Sequence, residues 1–290
     1  VVDHAVSRSV RDTALLLDLT HGADPLSPYA AREPKGAFTA AAARDPGRLS
    51  LAVYRKSPLG LPISAETMEA LDTAVALARE GGHTVEEIDL PYIGRDFIAD
   101  FCKSVASAVA GMMRAEAKRV GRPVSGEVER ATRVLGRLGE MLSAGEVYDA
   151  VQRLNATARQ MIEDTARFDA VLMPIIAHPP LACGAMDPKG ADELVENVLD
   201  KLHLTGLLRI KSFFGQLMDK SLWFTPWPAI HNVSGQPSIA LPVHVTAGGL
   251  PLGIQAAGRP GDEETLLSLA AQMEKISGWL KRRAPLKVPG

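Results

Sequence analysis

Two histidines stand in stretches that read as pocket loops: His178, followed by Pro179 and Pro180, and His231, followed by Asn232. An imidazole that titrates near neutrality suits general acid or base work, provided a second group orients it. Neither histidine has such a partner nearby in sequence, so packing is the stronger reading for both. Trp223, Phe224 and Trp227 crowd the start of a proline-containing stretch that runs to Pro237. With Ile175 and His178 from the other loop they are expected to line an apolar cleft, because small-molecule sites are mostly apolar with a few polar groups. Plain core packing of these aromatics is the open alternative. Asn232 completes the set of candidate substrate-binding residues, although a short amide there serves equally to tie its own loop by side-chain to backbone bonds.

Other chemistries lack their local signatures. No His-Glu-x-x-His and no Cys-x-x-Cys is present, so no metal site is expected. No glycine-rich phosphate loop opens a helix, and no cofactor is expected. The acidic pairs Glu86-Glu87 and Glu263-Glu264 fall on a strand and at a helix start, where solvation and the helix dipole account for them.

The chain has 290 residues, 46% hydrophobic and 23% charged, with a formal net charge of −2. That is enough for a large core and gives no basic stripe for nucleic acid. Lys281-Arg282-Arg283 reads as a solvated helix end. Two distant cysteines, Cys102 and Cys183, point to a reducing, cytoplasmic compartment rather than a disulfide framework. No run reaches the roughly 18 apolar residues of a membrane span, and no signal peptide opens the chain. The chain begins at Val1 rather than at a methionine, a hint of truncation.

The elements that must position the candidates follow from periodicity. Ser9 and Asp12 fit a capping box ahead of a helix with Val10, Ala14 and Leu17 on one face, Leu16 at its edge and Gly22 as its stop. Ala23 to Pro46 reads as a surface loop with at most a short turn in its alanine run. Leu49 to Tyr54, a Ser64-capped helix to Arg79, the Gly81-Gly82 stop and a strand from His83 to Leu90 form a βαβ-like unit with parallel strands. Phe97 to Val120, Ser125 to Leu142 and Ala144 to Arg167 read as helices, and Ala170 to Met173 as a buried strand ended by Pro174. Asp187 to Lys220 reads as an excursion from the sheet, and Trp223 to Pro237 as irregular. Ser238 to Val245 and Leu252 to Ala256 form a hairpin around Ala247-Gly248-Gly249, and a last helix runs from Glu263 to Ile276 behind an Asp262 cap. The short apolar strands at Leu172, Ile239 and Ile254 are expected in central positions.

Four blocks together resemble the amidase-signature family. Phe168-Asp169-Ala170-Val171-Leu172-Met173-Pro174-Ile175, then Pro179-Pro180, is similar to the family's F-D-x-L-L-x-P-T strand and loop. Phe224-Thr225, through Asn232 and Gly235-Gln236-Pro237 to Pro242, is similar to F-T-x-x-x-N-x-x-G-x-P-A-x-x-x-P. Gly249-Leu250-Pro251-Leu252-Gly253-Ile254-Gln255 with Gly258 to Glu263 resembles G-L-P-x-G-x-Q-x-x-G-x-x-G-D-E. Ser7 to Leu16 resembles A-R-S-V-R-D-x-A-L-L-L. The blocks keep the family's order over nearly the whole chain.

The resemblance implies an α/β fold, a mixed β-sheet covered by α-helices, in which residues 1–290 form the C-terminal part of one domain. The helical region at about 95–168 and the excursion at about 187–220 belong to that part. It also implies hydrolysis of a carboxylic amide by a serine nucleophile, a second serine preceded by a cis peptide bond, and a lysine. In the family these lie upstream of the Arg-Ser-Val-Arg-Asp block, where this chain begins. No Gly-Gly-Ser segment is present, so no catalytic residue is carried over. The loop Ala23 to Tyr29 and the long helical region look most similar to amidases acting on linear and cyclic aminohexanoate oligomers. The partners so implied are a small amide substrate and an absent N-terminal segment of the same protein. A homodimer is a further option. The alternatives are a non-catalytic scaffold and the amidase-like subunit of a tRNA-dependent amidotransferase.

Overall fold

In the computed structural model, which describes residues 4–27, 32–186 and 211–283, the Ser9 hydroxyl accepts the Asp12 amide at 3.0 Å and starts helix α1, Val10–Thr20. The return half of the expected capping box is not made, because Arg11 holds the Asp12 carboxylate instead. The expected loop after α1 contains a short helix, α2, Phe38–Ala43. Its cap comes from far upstream: Asp18 accepts the Phe38 and Thr39 amides at 2.6 and 3.0 Å and the Thr39 hydroxyl at 2.6 Å. A cap borrowed from another helix leaves no local signal.

The βαβ unit forms as its periodicity predicts. Strand β1, Ser50–Val53, leads through α3, Ala65–Glu80, to β2, Thr84–Glu87, and the two strands pair in parallel. Ser64 caps α3, accepting the Thr67 amide at 3.2 Å, and Leu71, Val75 and Ala78 are buried on its inner face. Three helices follow: α4, Arg95–Val120, α5, Arg130–Met141, and α6, Ala144–Thr165. Asp100 of α4 holds Arg153 of α6 through two bonds of 2.7 and 2.8 Å. Gly139 lets α5 touch α4, since a Cβ there would stand 2.1 Å from the Ala106 carbonyl oxygen.

Strand β3, Ala170–Pro174, is buried throughout and lies parallel to β1. Of the expected excursion, residues 187–210 lie outside the described residues, and Lys211–Leu222 is helix α7. The stretch expected to be irregular holds helix α8, Pro228–Ser234. Proline at the first helical position and left-handed Gly235 (φ 68°) behind it are ordinary helix bounds, and they outweigh the loop reading of a proline-containing stretch.

Strands β4, Ser238–Val245, and β5, Pro251–Gly258, form the expected hairpin, closed where Thr246 donates its amide to the Leu250 carbonyl at 2.8 Å. The ladder shifts register between Leu241 and His244, placing Pro242 at an irregularity where no ladder donor is needed. Helix α9, Glu263–Ser277, follows. Asp262 makes no cap bond to its backbone; its carboxylate takes the Thr265 hydroxyl at 2.8 Å.

The sheet order is β2-β1-β3-β5-β4. Leu172 and Ile254 therefore sit on strands with neighbours on both sides, as expected. Ile239 does not: among the described residues β4 is an edge, because an apolar run reads alike on an edge and on a central strand. One face packs against α1, α2, α3 and α9 in a core that includes Leu51, Leu172, Leu241, Val243 and Ile254. The opposite face of β1 and β3 packs against α4, α6 and α8, with Val171, Met173, Leu154, Trp227 and Ile230 at its centre.

Candidate active site

Parallel β1 and β3 lie side by side, while the chain leaves β1 towards β2 and returns to β3 on the other flank. Such a reversal opens a crevice beyond the carboxyl ends of the two strands, the usual ligand position in α/β sheets. Main-chain bonds fix the loops there. Tyr54 donates its amide to the Leu172 carbonyl at 2.9 Å, Ser64 to Ala177 at 2.9 Å and Ala177 to Phe224 at 2.7 Å, while the Thr225 hydroxyl donates to the Ile175 carbonyl at 3.3 Å. These ties bring the loop after β3 against the segment that precedes α8.

His178, Trp223 and Phe224 are thereby brought together, with the Ile175 main chain tied to Thr225 beside them, and each of the four residues is half-buried. The His178 and Trp223 rings stand 5.1 Å apart between centroids, and Trp223 meets Phe224 edge-on at 5.7 Å. Edge-on and tilted contacts of this kind hold aromatic rings in fixed directions. Trp227 is placed differently. It has no exposed surface, and its indole N–H donates to the Lys56 carbonyl at 3.0 Å, so it belongs to the buried core and ties the start of α8 to the segment after β1. Asn232 is not brought to the cluster. It faces solvent on α8, and its amide makes no hydrogen bond to a described residue, so the expected loop tie is absent.

His231 is buried on α8, and neither ring nitrogen has a hydrogen-bond partner among the described residues. Burial lowers its pKa from the ordinary 6.5 to about 4, so the ring is neutral at physiological pH. Burial likewise raises the Cys102 thiol to about 11, which removes it as a thiolate nucleophile. Tyr54, beneath the loops, has its hydroxyl pushed well above the ordinary range by burial and then by the Asp89 charge. The strand ends thus hold an aromatic cluster that includes His178, with the Lys56–Asp89 and Arg95–Asp219 ion pairs on the adjoining segments.

Arg95 was not visible as part of this region. Its guanidinium bonds the Leu59 carbonyl at 3.1 Å and pairs with Asp219 at 2.8 Å, tying α4 to α7 beside the loops. The partner lies over a hundred residues away, so no spacing announces it. Two hollows lie elsewhere. One of about 90 Å³ borders Asp169, Gln236 and Arg259 at the opposite end of β3, and one of about 500 Å³ lies among α4, α5 and α6. Neither gathers more chemistry than a single ion pair, Asp169–Arg259 in the first and Arg114–Glu140 in the second. Among the described residues no three histidine, cysteine or carboxylate side chains gather as a metal site, and no helix is long and apolar enough to cross a membrane.

The motif residues find structural employment in this geometry. Asp169 accepts the Ser50 amide at 2.8 Å and pairs with Arg259 at 2.9 Å, pinning the start of β3 to its neighbours. Gln236 donates to the Gly258 carbonyl at 2.8 Å, and Gly253 allows the Leu241 carbonyl to approach to 2.9 Å of where a Cβ would stand.

Residues 5–267 match the amidase family. A Mycobacterium tuberculosis protein bearing the amidase name AmiB2 is 30% identical over 287 residues, 97% of this chain and 53% of that protein. A 6-aminohexanoate-cyclic-dimer hydrolase from Pseudomonas sp. (strain NK87) is 28% identical over 295 residues, 98% of this chain and 55% of that protein. The solved structure of a 6-aminohexanoate cyclic dimer hydrolase superposes with a TM-score of 0.79 at 25% identity, covering 96% of this chain and 55% of that one. The chain therefore spans about half the length of the relatives it matches. With the family's blocks in order on the family's fold, this chain belongs to the amidase family.

Proposed function

We propose that this chain carries the substrate-facing, non-nucleophilic part of an amidase that hydrolyses a carboxylic C–N bond. The attacking serine, its cis-serine partner and the lysine base then come from polypeptide upstream of Val1. The observation that carries this reading is the amidase match over residues 5–267 in a chain that spans about half of its relatives. It is consistent with the groups on these elements, where the His178 ring lies against Trp223 and burial holds Cys102 as a thiol. An acyl transfer needs a nucleophile, a base and oxyanion donors within hydrogen-bond reach of one carbonyl, and no such set is assigned here.

In this reading Ile175, His178, Trp223 and Phe224 form one wall of the substrate cleft, while Trp227 belongs to the core. A partly exposed aromatic wall favours an amide with a long apolar spacer. An aminohexanoate-type linear or cyclic amide fits that demand, and two of the similar proteins carry the 6-aminohexanoate cyclic dimer in their names. Asn232, on the solvent side of α8, contributes only if the upstream segment covers that helix.

Trp223→Ala in the protein extended upstream to the length of its relatives tests the wall. Its preference for a 6-aminohexanoate oligomer over a small aliphatic amide is expected to fall at least about tenfold, the scale of one lost apolar contact surface in a pocket. An unchanged preference with a lowered melting temperature assigns Trp223 to the core.

A further inference from the structure

The residue that opens α4 reaches two other segments of the molecule. The Arg95 guanidinium donates through Nη1 to the Leu59 carbonyl at 3.1 Å, in the segment that follows β1. Its Nη2 stands 2.8 and 2.9 Å from the two carboxylate oxygens of Asp219 on α7. Gly215 lies one turn earlier on the same face of α7, and a Cβ there would stand 3.7 Å from Arg95 Nη2, so a small residue leaves room for the guanidinium. A planar guanidinium serves a carbonyl and a carboxylate at once in a fixed geometry, which a flexible point charge such as an ammonium does not.

Asp219 is linked to the aromatic cluster through the last turn of α7. Trp223, four residues on, donates its amide to the Asp219 carbonyl at 3.1 Å, so it rides on the helical ladder. Residues four apart share a helix face, which puts Gly215, Asp219 and Trp223 on one line. Phe224 is fixed separately, because its carbonyl accepts the Ala177 amide at 2.7 Å. The Trp223 ring meets its neighbours His178 and Phe224 by ring contact. Met218 and Leu222 hold the same turn against the second core. Those apolar contacts are non-directional and set how deep α7 sits, whereas the Arg95 bonds set which way its last turn points.

We infer that Arg95 is a positioning residue for the substrate cleft: by clamping Asp219 to the Leu59 carbonyl it directs the Trp223 ring, and so sets the preference for amides with a long apolar spacer. This rests on the amidase reading above, in which Trp223 belongs to the cleft wall. The ion pair is partly exposed, with side chains 46% and 33% accessible, so it adds little to the stability of the fold. Its effect falls on binding, where a displacement on the order of 1 Å in a positioning group is felt strongly.

Arg95→Gln and Asp219→Asn, in the protein extended upstream to the length of its relatives, test the clamp. Each is expected to raise KM for a linear 6-aminohexanoate oligomer at least about fivefold with kcat within about twofold, the pattern of lost ground-state binding. Both constants for a small aliphatic amide are expected to stay within about twofold, and the melting temperature within about 3 °C. Adding Arg95→Gln to Trp223→Ala is expected to change nothing further, because both act on one contact. Unchanged constants, equal changes with both substrates, or an additive double variant overturn the inference. A reading free of activity comes from fluorine NMR of the protein with fluorinated tryptophans, the Trp223 resonance being assigned by Trp223→Phe. Arg95→Gln is expected to move that resonance by more than its linewidth and to leave those of Trp227 and Trp279 in place. An unmoved Trp223 resonance, or a shift of all three, overturns the clamp. An extended protein that hydrolyses no amide while Trp223 alone moves sinks the enzymatic reading and keeps Arg95 as the residue that directs Trp223; an active protein with unchanged preference does the reverse.

Discussion

The two edges of the sheet are finished in opposite ways. On β2 the edge is four residues long and acidic, and each acid is engaged: Glu86 pairs with Arg167, and Glu87 with Arg55 at 3.2 Å. Short, charged strands end sheets, because a second strand would have to bury those charges. On β4 the edge is eight residues long, neutral at its start and closed by Arg282 only from Pro242. One edge is built to face water, and the other, among the described residues, is neutral and unpaired over its first four residues. The faces of β4 repeat the contrast: Leu241 and Val243 lie in the core under α3 and α9, while Ser238 and Ala240 lie open on the other side.

Substitutions along β4 sharpen this contrast most. Leu241 has no exposed surface, and Leu241→Ala is expected to cost about 3 kcal/mol by the loss of buried side-chain volume. Its neighbour Ala240→Ser, on the bare face, is expected to stay within about 0.5 kcal/mol in the same chain. Denaturant unfolding of both variants measures the difference. Equal losses at the two positions indicate that both faces of β4 are covered within this chain.

His231 provides a comparable effect through pH. Its folded pKa, lowered by burial to about 4, lies below the unfolded 6.5, so the unfolded state binds the extra proton between these values. Stability is complete above about pH 6.5 and is lost as pH falls towards 4, by about 3 kcal/mol in all. His231→Phe is expected to remove this part of the acid sensitivity, read as melting temperature against pH. An upstream segment that reaches the imidazole and bonds it shifts the window, so the same titration in a longer protein reports whether α8 is covered.

Asp100 tests the closed helical layer. Its burial raises the carboxyl pKa, but the Arg153 bonds and then Lys103 outweigh burial and hold it below 3.8. That stabilisation is present above the unfolded pKa and is lost as pH falls through the lower folded value. Asp100→Asn is expected to cost about 2 kcal/mol at pH 7, in the range of hydrogen bonds to charged groups, and less at pH 3. The smallest effect belongs to the finished edge. Glu86→Gln breaks an exposed pair with Arg167, and a change of at most about 1 kcal/mol is expected, with the soluble fraction falling as the acidic guard is removed.

Much of this arrangement could be read from the sequence, for local reasons. Strands β1 and β2, helices α3 to α6 and the hairpin of β4 with β5 carry their own periodicity, caps and glycine stops. The stretch that holds α8 reads as irregular because proline marks loops as well as helix starts, and Pro228 opens a helix. Helix α2 was missed because its cap, Asp18, comes from α1. The candidate wall was half legible. The aromatics and His178 announce an apolar surface, but the contact between their loops depends on main-chain bonds between distant segments. That Trp227 is sealed in the core, donating to a carbonyl 171 residues away, has no local signature. The openness of β4 was equally invisible, since a short apolar run does not say which of its neighbours are present.

Amide hydrolysis by the two lengths of this protein tests the central claim most directly. Purified residues 1–290 and the protein extended upstream to the length of its relatives are assayed side by side on a linear 6-aminohexanoate oligomer and a small aryl amide. The account predicts turnover by the extended protein that is abolished by a serine-directed inhibitor, and none by residues 1–290. Inhibitor-sensitive turnover by residues 1–290 alone, co-eluting with the purified chain, contradicts it and places the nucleophile within this sequence.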